Sequence, residues 1–292
     1  MQIRTLAILA AAAAGLAAVL ALRPGSEAGV PAAPAAPALT DVPAKGGWMD
    51  PRMLATRASL PAADFVVAPA QVFYARNGRP VDFGGKDAAV YIAERAARAR
   101  TGDLKAAYDA YQAASACAAA EDPLPEFFSE AERQAAERER ARMRKLCANV
   151  TPAQLQERMR FLGQLADGGN RDAQVDFYME GPGGKPVDLE ARADDPEVRQ
   201  WKQQAIAYLQ QAGAQCDQFA LGLLSNAYDA GQIVARDPAS SMMYAIASNS
   251  ARHRPLTEQQ LRERFGEDLA PAAFDAALQA GAKLAASSCP RT

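Results

Sequence analysis

From residue 86 onward, small and apolar residues recur three and four positions apart, the spacing of a helix face. Ala89, Ile92, Ala93, Ala96 and Ala97 predict a helix over 86–100. Thr101-Gly102-Asp103 breaks it, with Gly102 suited to a left-handed end and Asp103 to an N-cap. Leu104, Ala107, Tyr108, Tyr111 and Ala114 then share one face of a helix over 104–119, and Pro123 and Pro125 form the next loop. Ser129-Glu130-Ala131-Glu132 is a capping box that opens a highly charged helix running to Cys147. Thr151-Pro152-Ala153-Gln154 starts another, with Leu155, Met159, Leu162 and Leu165 as its stripe and Gly168-Gly169 as its end.

Shorter units follow. A helix over 172–180 stops at Gly181-Pro182 and leads into a polar loop. Further helices are predicted over about 195–212, 217–230, 237–250, from Thr257, and over 270–286. No strand–helix–strand alternation interrupts the series, so the body is predicted to be all-α.

Residues 48–85 read differently. Val72-Phe73-Tyr74 and Val81-Asp82-Phe83 flank Asn77-Gly78, a hairpin signal. Pro80 restricts the second arm to an edge. The alternative is an extended strap lying on the helices.

Residues 5–22 carry no charge, follow Arg4 and end at Arg23-Pro24-Gly25. As a helix they would span roughly 27 Å, close to the hydrocarbon thickness of a bilayer. Val19-Leu20-Ala21 forms a candidate cleavage site. Residues 1–22 are therefore read as a secretory signal cleaved near Ala21 or as an uncleaved inner-membrane anchor, rather than as a buried core helix. Residues 23–47, with Pro24, Pro31, Pro34, Pro37 and Pro43 among Ala, Gly and Val, form a spacer that does not fold as a helix. Either reading of the leader places the body on the periplasmic side.

Composition sharpens this picture. Of the 292 residues 69 are alanine, nearly half of the hydrophobic total, while aromatics are only 7%. Such a core suits helices in close approach rather than a wide β-sandwich. The formal net charge is -2, so no global basic footprint points to nucleic acid. His253 is the one histidine, which argues against a histidine-rich metal site.

The four cysteines are Cys117, Cys147, Cys216 and Cys289, and none forms a Cys-x-x-Cys pair. An even number in an exported chain predicts two disulfides. Three connectivities exist, and sequence proximity favours Cys117 with Cys147 and Cys216 with Cys289. A disulfide brings Cα atoms within about 7 Å, so the helices ending near Cys117 and Cys147 cannot form a simple hairpin. Either the second lies parallel to the first, or the charged helix breaks and folds back.

Residues 224–247 hold a repeated unit: Leu224-Ser225-x-x-Tyr228-x-x-Gly231-x-Ile233-Val234-x-x-Asp237-x-x-x-Ser241-x-x-Tyr244. It resembles the SEL-type repeat, a tetratricopeptide-like helical hairpin. Leu224, Tyr228, Gly231, Val234, Asp237 and Tyr244 match that pattern, with Ser241 standing for alanine. Ser225 and Ile233 depart from glycine. Weaker joints fall at Gly102, Gly169 and Gly213. The resemblance implies an irregular α-solenoid of helical hairpins, with 86–150 as an N-terminal helical part and 151–292 as a degenerate repeat region. It further implies a scaffold or adaptor that binds a protein or peptide.

Candidate chemistry changes little. No Gly-x-Ser-x-Gly, phosphate loop, His-Glu-x-x-His or Gly-x-Gly-x-x-Gly occurs. His253 reads as an exposed helix-end residue. Asp194-Asp195 and Glu121-Asp122 read as caps rather than a hydrolytic pair. Trp201 and Tyr208, on one helix, are candidates to line a ligand groove or to pack in the core. No catalytic residue, metal or cofactor is expected. The partner is an unknown envelope protein or peptide, with no nucleic acid, and membrane contact is confined to the N-terminal segment. Two alternatives stand beside the scaffold. Anchor, spacer and helical body resemble the layout of lipase-specific foldases, without the Phe-Asp-Tyr motif expected of them. A helical cell-wall-acting enzyme would need a Glu in a cleft beside a polar partner.

Overall fold

The computed structural model describes residues 72–75, 77–124 and 129–289. The leader, the spacer and most of the 48–85 stretch lie outside these residues. Among the described residues the chain is mostly helical: a two-stranded hairpin, β1 (Val72–Tyr74) and β2 (Pro80–Asp82), precedes ten α-helices. These are α1 (Ala88–Arg100), α2 (Leu104–Ala119), α3 (Glu130–Leu146), α4 (Pro152–Asp167), α5 (Arg171–Glu180), α6 (Pro196–Ala214), α7 (Gln218–Ala230), α8 (Pro238–Ala251), α9 (Glu258–Phe265) and α10 (Pro271–Ser288).

The hairpin forms where Asn77-Gly78 places it. Phe73 faces Val81 in antiparallel register. Gly78 donates to the Ala75 carbonyl at 2.8 Å and sits at φ 71, which a glycine adopts without a Cβ penalty. Phe73 and Phe83 meet edge to face at 5.7 Å and are both buried. That contact roots the hairpin in the helical core.

Local caps set most helix starts. Asp87, Asp103, Asn170, Asp195, Asp217 and Asp237 each accept a hydrogen bond from the first-turn amides. Ser129, Thr151 and Thr257 make complete capping boxes. These satisfy amides that have no partner inside their helices. The core then packs in chain order: α1 on α2, α2 on α4, α4 on α5, and so on through α8 on α10. Buried alanines make the approach close, with Ala110, Ala113, Ala114 and Ala116 of α2 all fully inaccessible.

Residues 224–247 fall on a helical pair, α7 and α8. Gly231 closes α7 in the left-handed region at φ 73, and Asp237 caps α8 with Pro238 in the first turn. The Asp237 amide donates back to the Tyr228 carbonyl at 2.9 Å. Tyr228 and Tyr244 stack at 5.7 Å, nearly parallel, while Leu224 is fully buried and Val234 half-buried. Ser225, at one of the two departures, donates from its hydroxyl to the Ser241 carbonyl at 2.9 Å. A serine fits a buried site there because its hydroxyl has an acceptor.

Gly213 lies in the last turn of α6, beside the joint with α7. It ends no helix: α6 runs through it to Ala214, and the left-handed residue is Cys216 at φ 61. Gly213 instead lets α7 come close, since a Cβ there would lie 3.0 Å from Leu221.

Both disulfides take the favoured pairing, Cys117–Cys147 and Cys216–Cys289, with Cα separations of 5.6 and 5.0 Å. Two disulfides fit an oxidising compartment. Helix α3 is unbroken from Glu130 to Leu146, so the fold-back alternative is not realised. The C-terminal ends of α2 and α3 meet at the Cys117–Cys147 bridge. Only Met143 of α3 is buried. The rest is a solvated helix laced by pairs such as Arg133–Glu137 and Arg142–Glu139. Among the described residues, no helix is long and apolar enough to cross a membrane.

Candidate functional site

The site begins with a stripe of acids. Asp172, Asp176 and Glu180 lie four apart on α5, hence on one face. Opposite stands a polar stripe on α2, made of Tyr108, Tyr111, Gln112 and Ser115. Asp176 Oδ2 accepts from the Tyr108 hydroxyl at 2.7 Å, Gln112 Nε2 at 3.1 Å and Asn77 Nδ2 at 2.9 Å. One turn further, Glu180 accepts from the Tyr111 hydroxyl at 3.2 Å, from Ser115 and from Arg158 of α4 at 3.3 Å. One turn back, Asp172 takes the Arg79 guanidinium through both carboxylate oxygens. The hairpin is thus bolted to α5 by Asn77 and Arg79, and α2 is bolted to α5 by four side chains.

Burial decides the electrostatics. Asp176 is 2% exposed. Loss of water pushes its carboxyl up to about 7, against the pull of Tyr108, Asn77 and Arg79, with Glu180 pushing the same way as burial. Tyr108 and Tyr111 are raised by burial and then by the neighbouring Asp176 charge. They remain neutral hydroxyl donors.

This network forms the back wall of an open cavity of about 540 Å³. Tyr108 and Gln112 of α2 stand between it and Asp176. Arg79 and the three residues of β2 make one side, and Tyr91 and Arg95 of α1 another. Lys105 and Asp109 of α2 complete it. Asp109 is shared: Lys105 reaches it at 2.8 Å and Arg95 at 3.8 Å. The Arg95 guanidinium lies over the Tyr91 ring at 4.8 Å from its centre. Because Asp176 holds the Gln112 amide nitrogen, the Gln112 carbonyl oxygen points elsewhere and has no donor, although the residue is 94% buried. A buried acceptor without a donor is costly. The groove offers the charged groups of Lys105, Arg95, Asp82 and Asp109 and the rings of Tyr91 and Tyr108. Among the described residues, no three His, Cys, Asp or Glu side chains gather to hold a metal ion.

A second hollow of about 360 Å³ lies between the hairpin and α3, lined by Phe73, Phe83, Arg142 and Lys145 among others. Arg142 already covers the Phe73 ring at 4.3 Å.

Trp201 and Tyr208 line neither hollow. Both are 4% exposed. Trp201 donates from its indole to the Phe177 carbonyl at 3.1 Å, and Tyr208 packs edge to face on Phe177 at 5.0 Å and donates to Asp167. The repeat positions from Leu224 to Tyr244 are likewise packing and turn residues, away from the groove. His253 is exposed at the end of α8 in the left-handed region, at φ 57. Asp195 caps α6, and Glu121 pairs with Arg144. Sequence reasoning took Tyr108 and Tyr111 as apolar-face residues and Asn77 as a turn residue. The signal that could have found the network was present: acids at i, i+4 and i+8 in 172–180, and hydroxyl and amide groups at matching spacing in 108–115.

In comparisons with known proteins, no family model, no curated protein and no solved structure matches the chain.

Proposed function

We propose that this chain is an exported helical-repeat protein that binds a peptide segment of another envelope protein, in the groove between the hairpin, α1 and α2. The carrying observation is the way the groove is held. Tyr108, Gln112 and Arg79 face it while their polar atoms are fastened to the α5 acids behind. Fixing such side chains before binding reduces the entropy lost on association. This wall buries the acids Asp176 and Glu180, whereas the polar side chains buried between α7 and α8 are the uncharged Ser225, Ser241 and Ser248.

Two disulfides and the uncharged 5–22 run support export. The serial packing of α4 to α8, with the capped α7–α8 pair, supports the repeat reading. Site-specific photocrosslinking in the envelope tests the function. A crosslinker replacing Tyr91, at the groove, should yield a discrete adduct with another protein. One replacing Ser287, exposed on α10, should not. Equal labelling from both positions, or none from Tyr91, would sink the proposal.

A further inference from the structure

The groove has an unused strand edge. Within the hairpin, the Ala75 amide donates to the Arg79 carbonyl at 3.0 Å. Bonded and non-bonded pairs alternate along an antiparallel ladder. Two residues on, Phe73 and Val81 are therefore the bonded pair. Pro80 and Asp82 turn their main-chain groups away from β1. The outer edge of β2 carries the Pro80 carbonyl and the Asp82 amide and carbonyl. Among the described residues none of these has a main-chain partner outside the strand pair.

That edge borders the groove. Val81 is buried while Pro80 and Asp82 are exposed, so their side chains point to opposite faces. All three nevertheless line the same cavity. What three successive strand residues with alternating side chains have in common is their edge. Pro80 is no obstacle here, because it lacks only a donor at an edge position. On the wall formed by α1 and α2, Lys105 and Arg95 share the single carboxylate of Asp109, which leaves one positive charge over on that wall, while Asp82 on the strand edge carries the opposite sign.

We infer that the groove takes an extended acidic peptide segment, which adds to the outer edge of β2 as a third strand and turns an acidic side chain toward Lys105 and Arg95. This rests on the binding reading above and specifies its ligand. Main-chain bonds to an exposed edge give affinity to many sequences, and alternate side chains give selectivity. The three-residue edge limits the paired stretch to about 10 Å, a few residues of ligand.

The test uses the full oxidised chain and an array of randomised decapeptides. Binders whose capture is lost with Tyr91→Ala or Lys105→Ala are kept, and each amide of the best binder is then N-methylated singly. Strand addition predicts an alternating pattern. Methylation at every second position lowers affinity about tenfold or more, and methylation between them changes it little. The selected peptides should be rich in Asp and Glu. On the protein, Asp82→Pro should weaken binding and Asp82→Ala should not. The alternation is read on the peptide, so it stands even where Asp82→Pro disturbs the hairpin. Groove-dependent binding without alternation would overturn strand addition, and binders that are neutral or basic would overturn the acidic ligand; either leaves the binding reading in place. An array with no groove-dependent binder would overturn both, as would occupation of the edge by this chain's own residues 48–71.

Discussion

Replacing Asp176 by asparagine isolates the energetic cost of the buried wall. The Asp176 carboxyl is raised from 3.8 to about 7, first by burial. Between those values the folded chain keeps a proton that the unfolded chain has released. The free energy of unfolding then falls as pH rises, by about 1.4 kcal/mol per pH unit. The stabilising contribution of the protonated form is complete below the unfolded value, near 4, and is lost as pH passes through about 7. Over the whole interval it amounts to about 4 kcal/mol. The amide that replaces the carboxyl keeps an oxygen for Asn77, Tyr108 and Gln112 but cannot ionise. Urea unfolding of both proteins, disulfides intact, at pH 5, 6, 7 and 8 measures the difference. Groups remote from position 176 are common to both proteins and cancel. The Asp176→Asn protein should gain on the natural chain by roughly 2.5 kcal/mol from pH 5 to pH 8, with most of the gain before pH 7. A constant separation across that range would refute the burial argument. A gain by the natural chain would show that Arg79 and the three donors outweigh burial.

Gly231→Val should lower stability by about 1–2 kcal/mol, because φ 73 disfavours a β-branched residue and its Cβ would lie 3.0 Å from the Arg236 side chain; thermal melts check this. Removing the Cys216–Cys289 bridge with a Cys216→Ser, Cys289→Ser pair frees a span of 73 residues and should cost about 4 kcal/mol in urea unfolding. Removing Cys117–Cys147 in the same way should act more locally. Helix α3 is held otherwise by Met143, by the Arg144–Glu121 pair and by Arg142 over Phe73. Hydrogen exchange should therefore quicken across α3 while α6 to α8 keep their protection.

Most of the local structure was legible in the chain. Caps, glycines and apolar spacing act within a few residues, so the helix series and the Asp237 cap follow from neighbours alone, while Asn77-Gly78 left hairpin and strap both open until packing on α1 and α2 decided for the hairpin. The α7–α8 pair followed because its cap, left-handed glycine and stacking tyrosines fall within one short unit. Proximity along the chain also paired the cysteines, although that argument carries no geometry. At Gly213 the joint was legible but the close contact was not, because α7 comes within reach of its missing Cβ only in the packed chain. Trp201 and Tyr208 show the same limit, since an aromatic pair on a helix face carries no sign of whether core or solvent covers it.

The groove exists only through contacts between distant segments. Asn77 is 99 residues from Asp176 and Gln112 is 64 from it. Nothing in residues 72–82 specifies that a turn amide will meet an acid on α5. An acid stripe at helical spacing reads as a solvated face until a polar stripe from another helix covers it. Burial then inverts its chemistry, because the same carboxylate that water would keep ionised is held near neutrality in protein surroundings. Periodicity determines which face a residue occupies, and the chain's long-range packing determines what that face meets.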